Sequence, residues 1–280
     1  MTAPRMLYEL FEPRVFYGML GEESTFLNLG YWKDSPRSFE EAARALAIRL
    51  ADAAGLAPGQ DVLDAGFGYG DQDFLWLERY SPARIVGINI TERQTAAACA
   101  RARERGLLQR LDFRVASATD MPFGQHEFDR VLALESGMHF PPREAFFREA
   151  YRVLRPGGRL ATADFATMPG AGYGAMDAMR SLVDAAWAQF PPENQHDRLE
   201  YAGQLKRAGF VNVRVESIRP WVLNGYVDHV LLRSREQSLR WAPWLGGPQP
   251  LTATYERMLR AWADWFSARY DYVIATADRP

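Results

Sequence analysis

Between residues 38 and 55 (SFEEAARALAIRLADAAG) Ala, Leu and Ile recur at helical spacing, and Gly55 supplies a stop. From Asp61 onward short apolar runs alternate with longer amphipathic ones. DVLDAG (61–66), RIVGINI (84–90), LDFRVAS (111–117), FDRVLALES (128–136) and GGRLATADF (157–165) read as buried strands. Between them DFLWLERY (73–80), ERQTAAACARARERG (92–106) and REAFFREAYRVL (143–154) read as helices. Strands and helices alternating at this spacing predict right-handed crossovers and a mostly parallel sheet covered on both faces. After Phe165 the alternation stops. LEYAGQLKRAGF (199–210) predicts one more helix, VNVRVESI (211–218) a strand of period two, and RYDYVIATA (269–277) a final strand. The expectation is an α/β fold with a seven-stranded, mostly parallel sheet. Without an internal repeat or a low-complexity linker, residues 1–280 read as a single domain. Three stretches outside the sheet, about 1–35, 167–200 and 219–266, carry Gly, Pro and aromatic residues in weaker patterns and are expected to build a helical cap.

The strongest local signal is VLDAGFGYGDQD (62–73), in which a buried strand ends at Asp64 and Gly66, Gly68 and Gly70 follow at two-residue spacing. Glycines there let the backbone approach a ligand that side chains would block. A loop in this place sits where open α/β sheets bind their ligands. The dinucleotide fingerprint would have its third glycine one residue later, and a phosphate loop would end in Gly-Lys-Ser/Thr. Even spacing behind an acidic residue instead favours an amino-acid–nucleoside ligand without phosphates.

Composition narrows the partners. Of 280 residues 24% are charged, the net charge is −2, and basic and acidic residues are interspersed. No basic patch stands out, so nucleic acid is not an expected partner. Cys99 is the sole cysteine, which excludes an intrachain disulfide and a cysteine-based zinc cluster, and its helical setting reads as buried filler. No compact Asp, Glu and His set has metal-ligand spacing, so no metal is expected. The first twenty residues lack the apolar core of a secretory signal, and no run is long and apolar enough to cross a membrane. The expected location is the cytoplasm, and the oligomeric state is left open between monomer and homo-oligomer.

Taken together, NLGYW (28–32), VLDAGFGYG (62–70), GINITERQ (87–94), ATDMPF (118–123), FDRVLALESGMHF (128–140) and YRVLRPGGRLATADF (151–165) resemble the class I S-adenosylmethionine methyltransferases, whose fold is Rossmann-like. Within that class the resemblance is to the small-molecule branch of sugar and polyketide O-methyltransferases, tocopherol methyltransferases and terpenoid C-methyltransferases. It implies S-adenosylmethionine as cofactor, with Gly66, Gly68 and Gly70 against its methionine part and Asp64 ordering the loop. Asn89 stands where a ribose-binding carboxylate is usual; a neutral side chain bonds a hydroxyl without charge assistance. Gln94 matches a glutamine beside the cofactor. Ser117 replaces a common adenine-contacting Asp, which leaves the Ala118 backbone amide as the candidate there. Leu134 and Glu135 would border the sulfonium.

The resemblance also singles out His139, which follows the fourth strand in a loop that carries the general base or an acceptor-positioning group in that branch. The alternative for His139 is a structural histidine bonded to a backbone carbonyl. His126 and His196 lie in polar loops, and His229 lies in a helical pattern. Aromatics concentrate outside the sheet, with Tyr31, Trp32, Trp221 and Tyr226 the candidates to line an apolar acceptor pocket and Tyr17 a candidate lid. The expected activity is methyl transfer to a small, largely apolar acceptor, foremost a hydroxyl of a polyketide, glycoside or terpenoid. The alternatives are C-methylation of an isoprenoid or aromatic carbon and a cofactor-binding scaffold without catalysis.

Overall fold

The computed structural model describes residues 25–169, 191–241 and 249–280, with a few side chains of the last two helices excepted. Seven strands form one sheet: β1 (Asp61–Ala65), β2 (Arg84–Asn89), β3 (Leu111–Val115), β4 (Phe128–Leu134), β5 (Leu154–Thr167), β6 (Val211–Ser217) and β7 (Tyr270–Asp278). Their spatial order is β3-β2-β1-β4-β5-β7-β6. β3, β2, β1, β4 and β5 pair in parallel, while β7 runs antiparallel between β5 and β6. Because the chain steps outward from β1 to β2 and returns to place β4 on its other side, the carboxyl ends of β1 and β4 flank a crevice.

Helices cover both faces. α1 (Phe39–Ala54) and α2 (Asp71–Tyr80) pack with α3 (Glu92–Glu104) against the face bearing Val62, Ile85, Leu132 and Ile274. α4 (Arg143–Val153) and α5 (Arg198–Arg207) cover the face bearing Leu63, Val86, Val131 and Val273. Adjacent strand residues fall in opposite cores, as the two-residue period of a strand requires. The start of α1 is fixed by its cap: Ser38 Oγ accepts from the Glu41 N–H (3.1 Å), and Glu41 returns a bond to the Arg37 N–H (2.8 Å).

The stretch after Ile218, expected to contribute to a helical cap, forms two long helices, α6 (Arg219–Trp241) and α7 (Gln249–Arg269). α6 buries Val222, Leu223, Tyr226 and Val230, at helical spacing, against the α1 face. β5 also begins earlier than expected, at Leu154, with a register shift against β4 between Phe128 and Arg130. Most of residues 1–35 and of 167–200 lies outside the described residues, so the cap expected there is described only in part. No helix among the described residues is long and apolar enough to cross a membrane.

Candidate active site

The glycine loop joins β1 to α2 with Gly66, Gly68 and Gly70 at φ of +88°, +59° and +82°. Gly66 leaves no room for a side chain, since a Cβ there would stand 2.4 Å from Ser136 Cβ; at Gly68 and Gly70 it would stand 3.0 Å from Leu27 Cδ1 and Phe113 Cζ, which would have to shift. Ser136 Oγ donates to the Ala65 carbonyl (2.5 Å), so the crevice between β1 and β4 is stitched at its floor. Asp64 is fully buried, and its Oδ2 accepts from Gln72 Nε2 (2.9 Å), which also donates to the Phe67 carbonyl (3.0 Å). Asp64 therefore orders the loop through Gln72, a strut that the sequence pattern did not single out.

Asp64 Oδ1 and both oxygens of the equally buried Asp73 have no hydrogen-bond partner among the described residues. Burial pushes both carboxyls up, and the charge of Asp64 pushes Asp73 further.

Asn89 closes the next strand. Its Nδ2 donates to Gln94 Oε1 (2.8 Å) and to the Gly68 carbonyl (3.3 Å), and its Oδ1 accepts from the Thr91 N–H (3.2 Å). Asn89 is thus a brace that ties the loop to the start of α3. Gln94 is buried, with Nε2 donating to nothing among the described residues. A buried donor without a partner among the described residues, beside a glycine loop that crowds any side chain, fits a bound molecule with acceptors of its own. Ser117 Oγ bonds Thr119 Oγ1 (2.9 Å), and Ala118 is buried beside it at the end of β3.

Across the crevice β4 ends at Leu134, and Glu135 takes a left-handed φ of +49° while its N–H donates to the Ala163 carbonyl (2.8 Å). Such a backbone is unfavourable for a residue with a Cβ and persists where its surroundings fix it. Glu135 Oε1 accepts from the Leu29 N–H (2.8 Å) and from the Tyr272 hydroxyl (2.7 Å). Burial pushes the Glu135 carboxyl up to about 8, so it is mostly protonated at neutral pH. Burial and then the charge of Glu135 raise the Tyr272 and Tyr226 hydroxyls, which leaves both as neutral donors beside it.

His139 closes a short 3-10 turn, Gly137–His139, directly after β4. It is half-buried, and its N–H donates to the Ser136 carbonyl (2.9 Å). The other histidines lie elsewhere. His126 is exposed at φ +63°, with Nε2 2.6 Å from an Arg279 guanidinium nitrogen. The His196 carbonyl accepts from the Thr167 N–H (2.9 Å), and His229 stacks on Trp32 at 4.7 Å between ring centroids.

Among the aromatic candidates, Tyr226 is buried near Glu135 and meets Phe39 edge to face at 6.3 Å. Trp32, Tyr31 and Trp221 fasten residues 28–32 to α1 and α6. The Trp32 N–H donates to the Trp221 carbonyl (2.6 Å), the Tyr31 N–H donates to the Ala42 carbonyl (2.8 Å), and Tyr31 meets Trp221 at 6.2 Å. Tyr17 lies outside the described residues. Among the described residues no group of three or more His, Cys, Asp or Glu is placed to hold a metal ion.

A methyltransferase-domain family model matches residues 63–162. The chain is 42% identical over 241 residues to erythromycin 3''-O-methyltransferase of Saccharopolyspora erythraea, covering 84% of this chain and 77% of that one. It is 31% identical over 266 residues to methyltransferase GfsG of Streptomyces halstedii, covering 91% and 87% of the two chains. Among solved structures, geranyl diphosphate C-methyltransferase from Streptomyces coelicolor A3(2) matches with a TM-score of 0.72 at 21% identity, over 99% of this chain and 96% of that one; a likeness at this identity concerns the fold.

Proposed function

This chain belongs to the S-adenosylmethionine-dependent methyltransferases, and from that premise we propose that it methylates a hydroxyl of a small, largely apolar natural product, a polyketide, glycoside or terpenoid, with His139 as general base. The observation that supports this most is the likeness over 241 residues to an erythromycin 3''-O-methyltransferase, together with a histidine on the turn that follows β4. Gly66, Gly68 and Gly70 would hold the methionine part of the cofactor, Gln94 and Asn89 its ribose side, and Ser117 and Ala118 its base. When bound, S-adenosylmethionine supplies a methyl group already activated by the sulfonium.

What remains for the protein is to align the acceptor, exclude water and take up one proton. Glu135 is a poor base while protonated, and it suits the role of a hydroxyl-bonding wall: Oε1 is engaged twice, whereas Oε2 has no partner among the described residues. His139, half-buried at the mouth of the same strand, is the group left to accept the hydroxyl proton in its neutral form.

The test is His139→Ala. S-adenosylhomocysteine affinity by calorimetry should stay unchanged, while turnover on a panel of macrolide, glycoside and terpenoid alcohols falls by about 10²–10⁴-fold. The rise of the wild-type rate with pH across the neutral range should vanish with it. Wild-type turnover in the variant would remove His139 from the chemistry. A wild-type rate flat with pH on every alcohol, with turnover on an isoprenoid or aromatic carbon, would favour C-methylation.

A further inference from the structure

The turn that carries His139 is gripped by side chains from two other parts of the chain. Asn194 Nδ2 donates to the Met138 carbonyl (2.9 Å) and to the Phe140 carbonyl (2.8 Å), the residues on either side of His139. Asp164 Oδ1 accepts from the Met138 N–H (3.2 Å). Arg143 locks the two holders together: its N–H donates to Asn194 Oδ1 (2.7 Å), Nη2 to the Asn194 carbonyl (2.9 Å) and Nη1 to Asp164 Oδ2 (3.1 Å). Asp164 Oδ2 also accepts from the Tyr201 hydroxyl (3.3 Å), and the Arg143 guanidinium lies over the Tyr201 ring at 4.2 Å. Arg143, Asp164 and Tyr201 are fully buried and Asn194 is 4% exposed. The orientation of the Asn194 amide follows from its neighbours, because an N–H faces one end and two carbonyls face the other.

We infer that Asn194 is a positioning residue for the reaction, fixing the peptide groups on both sides of His139 so that the imidazole meets the acceptor in one orientation. This rests on the reading of His139 as base. A buried ion pair contributes little net stability compared with apolar packing, and its best-attested use is to select one geometry. Here the geometry selected is that of Met138–Phe140. Asn194 closes the short 3-10 turn Pro192–Asn194, four residues before α5 begins, so the orientation of the base is tied to the docking of that turn. The sequence PENQ (192–195) gives no sign of this, since Asn194 acts on a turn more than fifty residues away.

The experiment is a double-mutant cycle of Asn194→Leu and His139→Ala, with turnover on the best alcohol of the panel and S-adenosylhomocysteine affinity read for all four proteins. Asn194→Leu should lower kcat by about 10–100-fold, the scale of a misplaced catalytic group. KM and cofactor affinity should change by less than about threefold, since neither depends on where the base points. In the His139→Ala background the same substitution should change kcat by less than about twofold, because the group it positions is gone.

An equal loss in both backgrounds would mark Asn194 as structural and overturn the inference while leaving the base assignment standing, as would no loss in the wild-type background. A His139→Ala protein with wild-type kcat would overturn the base itself, and that leg of the cycle reports it alone. If Asn194→Leu does not fold, Asn194→Asp takes its place. It keeps the acceptor for the Arg143 N–H, removes both donors to the turn, and is expected to behave the same way.

Discussion

The two sides of the crevice are assembled over different distances along the chain. On the side proposed to hold the methyl donor, Gln72 reaches back eight residues to Asp64, Asn89 forward five to Gln94 and back 21 to Gly68, and Arg101 back 32 to the Tyr69 carbonyl. On the acceptor side, Glu135 takes its bonds from Leu29 and Tyr272, 106 and 137 residues away, and Asn194 reaches Met138 across 56. The proposed donor side is therefore built mostly within the continuous run from β1 to α3, with Leu27 and Ser136 closing on it, whereas the proposed acceptor side exists only once remote segments have docked. A family can keep the first and change its acceptor by altering the second.

Substitutions that act on one side alone can break this division. The largest effect is expected from Gly68→Val, which puts a branched side chain at φ +59° against Leu27. S-adenosylhomocysteine binding should be lost in a protein whose circular dichroism is unchanged, and normal affinity would show that the loop is not the donor site. Next in size comes the loss of turnover, with binding intact, in His139→Ala. Asn89→Ala should weaken S-adenosylhomocysteine binding by about 1–2 kcal/mol, roughly 5–30-fold, through the lost brace on Gly68 and Gln94. An unchanged Kd would place the ribose elsewhere.

The smallest effect sharpens the acceptor side. Folding raises the Glu135 carboxyl from the usual range to about 8, so the folded protein holds a proton there that the unfolded chain has released. Stability from this group is full below the ordinary carboxylate range and is lost as pH rises toward about 8. Glu135→Gln preserves an acceptor for Leu29 and Tyr272 and has nothing to ionise. Its Tm should therefore fall less than that of the wild type between pH 5 and 8, by a few degrees, with the difference constant above pH 9. Parallel curves would show that Glu135 is ionised in the folded protein.

The sequence made the donor side legible because its determinants are local: a strand of apolar residues, an acidic end and three glycines before a helix. His139 stood out through the family resemblance, in the loop that follows the fourth strand, and its role as base is a proposal. That residues 219–266 are helical was expected, but their division into two long helices was not, because the aromatic residues are spread over a weak apolar stripe without a clear break. Asp73 was hidden at the start of α2, where an acidic residue in the first turn is ordinary helix chemistry. Arg143, Asn194 and Tyr272 were hidden more deeply. Each sits in an unremarkable local setting and acquires its meaning from a partner that only the completed sheet brings near.

The place of β7 has a consequence for the order of events during synthesis. β1 to β5 can pair among themselves as they emerge, but β6 finds its sheet partner only in β7, which is made last of the seven. At the ordinary pace of a ribosome β6 and the outer edge of β5 wait on the order of ten seconds as open strands. Tyr272, which holds Glu135, arrives on the same strand. A nascent chain stalled before Tyr270 would thus expose two unsatisfied strand edges and an acceptor wall lacking one of its two supports, making the last strand to appear both the seal of the sheet and the step that completes the enzyme.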